Sequence, residues 1–324
     1  MKALFLGLGS IGLRHSKILH SIAPELQIHA FRTHLGQRQT SLDWISELTS
    51  LEDALKLSPD IVFITNPSHL HIQSALIFAG HSHSFFIEKP IDVSSGNLTL
   101  LRKTLAQHKT PTYIAYHLRF HPVIQWLASN IVSSNVMKVS VRNLSYFPDW
   151  RPGTDHLKSY SSFDKSSGGI LLDLSHEFDY IEYLFGRIAH ISGLHGKRSD
   201  VTVDSDDYAE LDIATDNVDE IRLQLNMACT GKPVREIRME LKDGQTLIAD
   251  LINNCIRRSK GDLSFPCILD DIFSSQLKYF LSNTSNPQIM NNLDDASALF
   301  LNILRFKEGS TNANPCDNCG ASRF

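Results

Sequence analysis

The chain is poor in cysteine, with five in 324 residues, scattered at Cys229, Cys255, Cys267, Cys316 and Cys319. That number and spacing exclude a disulfide-built scaffold and favour a reducing compartment. A basic surplus is also missing: 31 Lys+Arg stand against 35 Asp+Glu, a formal net charge of -4. Nothing is spare to hold a phosphate backbone, so nucleic acid is not expected as a partner. No segment approaches the ~18 uncharged apolar residues of a membrane span. The N-terminus imitates a secretory leader, because Lys2 precedes the uncharged stretch Ala3 to Leu13. Glycines interrupt that stretch, however, and Arg14 and Lys17 stand where it should hand over to a cleavage site. The expectation is a cytoplasmic protein that does not enter membranes. Repeats, low-complexity tracts and a Pro/Gly/Ser-rich linker are absent as well, which points to two domains sharing an interface.

What is present is an ordinary globular composition, 42% apolar and 20% charged, in a chain long enough for two cores. Ala3 to Leu8 has strand length, and Ile11, Ile18, Leu19 and Ile22 follow on a helical period. Strand patterns over Gln27 to Phe31, Asp60 to Thr65, Ser84 to Ile87 and Thr112 to Tyr116 alternate with helical ones over 50–57, 69–79 and 96–108. This rhythm predicts a parallel, doubly covered sheet. After about residue 122 it changes. Met137 to Phe147 alternates, Gly169 to Phe185 reads as one helix, and strand runs then arrive without intervening helices, from Ala189 through Val234 to Leu241. Asp243-Gly244 signals a hairpin into Thr246 to Ile252. Helical patterns over Ile268 to Leu281 and Asp294 to Phe306 precede a polar tail. The predicted fold class is α/β: a Rossmann-type dinucleotide-binding domain at 1–121, an α+β domain with an open, mostly antiparallel sheet at 122–308, and a tail at 309–324.

Gly7-Leu8-Gly9-Ser10-Ile11-Gly12 is G-x-G-x-x-G at a strand-to-helix junction. Its chemistry belongs to the backbone: Gly7 for the tight turn, Gly9 for close approach of a pyrophosphate, Gly12 for helix–strand packing, and free helix N–H groups for the anion. Without its flanking strand and helix the pattern would be an ordinary turn. At the end of the second strand, where a carboxylate selects NAD and an arginine tolerates NADP, stand Arg32 and Thr33. That places NADP ahead of NAD.

Two further features carry chemistry. Glu88-Lys89-Pro90 ends a strand, which puts Lys89 at the carboxyl edge of the sheet where ligands bind. There a lysine can polarise a hydroxyl; elsewhere it would be a plain surface charge. Asp173 and His176 are three apart on the predicted helix. They therefore share a face on which the carboxylate would orient the imidazole and support its protonated form, unless the pair is a structural network.

In order and spacing, the glycine loop, Thr65-Asn66-Pro67 with His71, Glu88-Lys89-Pro90, Arg119-Phe120-His121-Pro122 and Gly168-Gly169 to Asp173, His176 and Asp179 resemble the Gfo/Idh/MocA oxidoreductases. The resemblance runs from residue 1 to about 306. It implies reversible NAD(P)-dependent oxidation of a sugar or cyclitol hydroxyl, and homo-oligomerisation through the C-terminal sheet. It also implies Lys89 on the reacting oxygen, His176 as acid and base, Asp173 assisting either substrate or histidine, and Thr65, Asn66, Pro67, His71 and Glu88 on the nicotinamide side. His117 stands where that pattern usually has Asn, so substrate contacts by His117 and Arg119 are expected but altered.

The segment from Phe147 to Tyr160 offers Trp150 as an apolar face for a sugar ring. Arg151, Lys158 and Tyr160 complete an expected site for an anionic or nucleotide-linked sugar, the alternative being a loop packed at an interface. Fifteen histidines do not assemble a metal set, and Cys316-Asp317-Asn318-Cys319 lacks a second ligand pair for zinc, so no metal is expected. The rival to an enzyme is a dinucleotide-binding regulatory or scaffold protein that does not turn over.

Overall fold

The computed structural model describes residues 1–32, 42–150, 153, 157, 160–201 and 203–309, without the side chain of Tyr160. The first sheet is parallel throughout, in the order β3-β2-β1-β4-β5-β6. Its strands are β1 (Lys2–Leu6), β2 (Gln27–Phe31), β3 (Ile45–Leu48), β4 (Ile61–Ile64), β5 (Ser84–Ile87) and β6 (Thr112–Ile114). Between them run α1 (Ser10–Ile22), α2 (Leu51–Lys56), α3 (His71–Phe78) and α4 (Leu98–His108). Every residue of β4 and β5 is buried, which is why their sequences are unbroken apolar runs: both faces are covered. The short β3, with its single buried residue Ile45, carries no such signal and was not expected.

The chain then forms α5 (Pro122–Asn130), β7 (Val136–Leu144), α6 (Asp164–Ser167), α7 (Gly169–Asp173) and α8 (His176–Phe185). An eight-stranded sheet follows, ordered β14-β13-β12-β11-β7-β10-β9-β8. Its further strands are β8 (Ile188–Gly196), β9 (Tyr208–Thr215), β10 (Ile221–Asn226), β11 (Val234–Leu241), β12 (Thr246–Asp250), β13 (Cys255–Arg258) and β14 (Leu263–Ser264). All its pairings are antiparallel except β7–β10. The sheet is open: β7 buries Val139 and Val141 and turns Lys138 and Arg142 outward. On the outer face opposite charges pair across strands, Arg142 with Glu236 and Arg222 with Asp212, each at 3.2 Å.

Two differences from the sequence reading bear on the site. The helix expected over Gly169 to Phe185 is interrupted: α7 ends at Asp173 and Leu174 leaves helical backbone at φ -98, ψ 31 before α8 begins. In addition α9 (Leu269–Leu281), inside the stretch assigned to the second domain, returns to the first sheet. Its Phe273, Leu277 and Phe280 join Phe5, Phe63, Phe86 and Tyr113 in one apolar cluster, and Gln276 donates to the Tyr113 hydroxyl at 3.1 Å. The apolar stripe of α9 covers the sheet face that α1 leaves bare, and that burial outweighs chain order. The last helix, α10 (Leu293–Gly309), touches β8, β6, α4 and α7, tying both sheets together. No described helix is long and apolar enough to cross a membrane.

Candidate active site

The carboxyl ends of β1, β4 and β5 open onto a cavity of about 490 Å³ walled by the glycine loop, Thr65, Asn66, Pro67, His71, Glu88, Lys89, His117, Trp150 and His176. Gly7 has φ +99, and a Cβ there would lie 2.8 Å from the Asn66 backbone, so the turn admits only glycine. A Cβ at Gly12 would come within 2.4 Å of the Gly7 carbonyl oxygen and 2.7 Å of Thr65 Oγ1. Gly9 differs: nothing lies within 4 Å of where its Cβ would be. Gly9 also caps α1 without a side-chain hydrogen bond, and the first turn holds no acid. The N–H groups at this helix end are thus left for an anion.

Next to the loop lies a second cavity, of about 570 Å³, lined mainly by apolar side chains such as Leu6, Phe31, Leu70, Ile77 and Phe78, together with Arg32. The expected cation is there, but it is not alone. Arg32 pairs with Glu47 of β3 at 3.0 Å. The carboxylate missing from the end of β2 is supplied by a neighbouring strand that periodicity did not reveal.

His71 braces the cavity floor. Its Nδ1 lies 2.8 Å from the Pro90 carbonyl oxygen and its Nε2 2.8 Å from that of Asn66, linking the loops after β4 and β5. Burial lowers its pKa, while the two carbonyls, Glu88 and Asp92 pull the other way.

Lys89 follows β5, joined to Pro90 by a cis peptide bond. Its ammonium donates to the Asp173 carbonyl oxygen at 2.5 Å and lies 4.0 Å from the Asp173 carboxylate. Asp173 therefore serves the lysine. The expectation that it would orient His176 and favour the imidazolium does not hold: the break after α7 separates the two, and His176 Nδ1 is buried without a hydrogen-bond partner. The charged neighbours of His176 are cationic. Burial drives its pKa well below the ordinary histidine range, and His117, Lys89 and Arg235 act in the same direction. His117 meets it edge to face, ring centroids 4.3 Å apart, and is backed by Phe273 of α9 at 4.4 Å. Burial and then Arg235 and Lys89 likewise hold His117 neutral.

Arg119 is a correction. It does not wall the cavity; its guanidinium forks onto the Asp179 carboxylate, Nε and Nη2 at 2.8–3.1 Å, and rests on the Tyr183 ring. Asp179 is almost wholly buried, and such a carboxylate needs a cation, so this pair clamps α8 to the end of the first domain. Trp150 does wall the cavity, its indole N–H donating to Ser145 Oγ at 2.9 Å. Thr33, Arg151, Lys158 and the tail cysteines Cys316 and Cys319 lie outside the described residues. Among those described, no three His, Cys, Asp or Glu side chains gather as a metal would require.

Sequence reasoning missed Arg14 and Ser68, which also wall the cavity, and the buried His15. The signal for His15 was available: it falls on the apolar stripe of α1, four residues beyond Ile11 and three before Ile18.

No family model matches the chain. A curated relative, an uncharacterized oxidoreductase named YrbE from Bacillus subtilis, is 24% identical over 189 residues, covering 56% of this chain and 52% of the relative. The chain thus aligns with about half the length of that protein. Solved structures match over nearly the full length. The UDP-N-acetylglucosamine 3-dehydrogenase GnnA from Acidithiobacillus ferrooxidans superposes with a TM-score of 0.77 at 18% identity, covering 95% of this chain and 97% of that one. A levoglucosan dehydrogenase in complex with NADH gives 0.80 at 13% identity, covering 96% and 97%. The WlbA dehydrogenase from Chromobacterium violaceum, in complex with NADH and UDP-GlcNAcA, gives 0.76 at 15% identity, covering 95% and 94%. The chain has the fold of these sugar dehydrogenases: a Rossmann-type domain followed by a domain with an open sheet.

Proposed function

We propose that the chain is a Gfo/Idh/MocA-type NAD(P)-dependent oxidoreductase acting on a sugar hydroxyl, with Lys89 and His176 handling the proton. One observation carries the reading: Lys89 and His176 wall the same cavity as the open end of the glycine-loop helix. The residues present fit a dinucleotide, because Gly9 leaves its Cβ space empty and the α1 N-terminus is uncapped. Gly9, Ser10 and Ile11 would hold the pyrophosphate, and Arg32 with Glu47 the adenosine end, the cation suiting a 2'-phosphate and the carboxylate a 2'-hydroxyl. Thr65, Asn66, Pro67, His71 and Glu88 would take the nicotinamide side. Bound nicotinamide supplies the hydride acceptor or donor.

The chain's own part is proton chemistry. Lys89 has one N–H committed to the Asp173 carbonyl and another within reach of its carboxylate; a third can polarise the reacting oxygen. His176, held neutral by burial and cationic neighbours, presents a lone pair to the O–H of an alcohol. With Nδ1 buried, Nε2 is the nitrogen that does so. Trp150 and His117 would face the sugar, and Arg14 at the rim suits an anionic or nucleotide-linked substituent. Of the dehydrogenases of like fold, one is named for the nucleotide-linked UDP-N-acetylglucosamine and another for levoglucosan, which carries no such group. A homo-oligomer would use the charge-patterned open sheet face.

The test is absorbance of reduced nicotinamide across a panel of free, acidic and nucleotide-linked sugars. Turnover with at least one that is lost in Lys89→Met supports the reading. Silence with all of them, despite tight cofactor binding, favours a regulatory dinucleotide-binding protein.

A further inference from the structure

A wholly buried imidazole lies behind the cavity, and the proton chemistry above does not use it. His15, on α1, has no exposed surface; its Nε2 lies 2.6 Å from Glu88 Oε1, and its Nδ1 is buried without a partner. The ring sits between the edges of Phe86 and Phe273, centroids 4.9 and 5.2 Å away. An aliphatic or aromatic side chain would suit those neighbours and avoid the cost of an unpaired buried nitrogen. The polar ring is therefore explained by its one polar partner. Glu88 in turn walls the cavity, and its Oε2 accepts the backbone N–H of Lys89 at 3.3 Å.

We propose that His15 is a positioning residue: it fixes the Glu88 carboxylate so that the carboxylate can accept a hydrogen bond from the nicotinamide-riboside half of the dinucleotide. The inference rests on the dinucleotide reading above. It ties the helix that receives the pyrophosphate to the strand end that carries Lys89, through one buried hydrogen bond. The adenosine half lies in the adjoining cavity, which neither His15 nor Glu88 lines, and it is independent of this bond.

The experiment titrates full-length wild type, His15→Leu and His15→Gln with two probes, ADP and whichever of NADH or NADPH the wild type binds tighter. Thermal melting is recorded alongside. Leucine fills the ring's space without a donor, whereas glutamine keeps an N–H near the Nε2 position. The expected result is a loss of about tenfold in reduced-dinucleotide affinity for His15→Leu, ADP affinity within twofold of wild type, and recovery of most of the dinucleotide loss in His15→Gln. Unchanged dinucleotide binding in His15→Leu overturns the proposal. Parallel loss of ADP and dinucleotide also overturns it, because the effect is then general damage to the domain, and failure of His15→Gln to recover rejects the hydrogen bond as the cause. Wild type that binds none of the probes refutes the dinucleotide reading itself, an outcome distinct from all of these.

Discussion

The glycine-loop wall of the cavity and the wall bearing Lys89 and His176 differ in what holds them. On the first, the shape comes from backbone and from atoms that are missing: positive φ at Gly7, no Cβ at Gly12, empty space beside Gly9, and a helix end without a cap. On the second, polar and ionisable groups are taken out of water and arranged against one another, Lys89 on Asp173 and His176 against His117, with the Arg119–Asp179 pair clamped behind them. A backbone wall tolerates a bound anion without prior charge. A charged wall sets protonation states before any ligand arrives, here by burying two imidazoles and then placing Lys89 and Arg235 near them. On the proposed function one wall would bind and the other react, and substitutions should separate these properties.

The largest effect is expected on the reactive wall. Lys89→Met should lower turnover by about 10³-fold, within the range of a lost proton-handling group, while dinucleotide affinity stays within a few-fold; affinity falling as far as turnover would dissolve the distinction between the walls. Next comes the clamp behind it. Arg119→Met leaves the Asp179 carboxylate buried without its cation and should cost about 3–5 kcal/mol of stability in denaturant unfolding. An unchanged midpoint would mean Asp179 finds another partner.

The glycines sharpen the contrast at smaller scale. Gly12→Ala forces a Cβ against the Gly7 carbonyl oxygen and should destabilise the fold by about 1–3 kcal/mol, as overpacking does. Gly9→Ala meets no protein atom, so its melting temperature should hold while dinucleotide affinity drops at least tenfold. If both variants only melt earlier, the loop is structural.

The smallest effect is a pH slope. His121 Nδ1 accepts the Val123 N–H at the start of α5, and burial pushes its pKa down to about 4. In the unfolded chain an ordinary histidine titrates near ~6.5. The unfolded state therefore binds the proton first, and the stability present above pH ~6.5 is lost progressively as pH falls towards 4. Melting temperature should decline across that interval, with His71, His117 and His176 adding to the slope in the same direction, and His121→Asn should reduce it by the share of one histidine.

The backbone wall was legible in the sequence because its chemistry depends on residue type and spacing alone: G-x-G-x-x-G between a strand and a helix needs little tertiary information. Lys89 was legible for the same reason, as a strand-end residue. The reading failed where partners come from distant segments. Asp173 was matched to His176 by helical spacing, but the helix breaks between them and a lysine 84 positions away takes the aspartate's carbonyl. Arg119 looked like a ligand contact until Asp179 claimed it. Glu47 rides on a four-residue strand with one buried residue, too short for periodicity to detect. The return of α9 to the first sheet likewise follows from complementary apolar faces, which local pattern does not encode.

The most direct test is a crystal structure of the chain with reduced dinucleotide bound. The nicotinamide ring should lie in the cavity between Pro67 and the Lys89 and His176 side chains, with the pyrophosphate on the N–H groups of Gly9 to Ile11. A dinucleotide that leaves this cavity empty, or a ring walled off from either Lys89 or His176, would contradict the account.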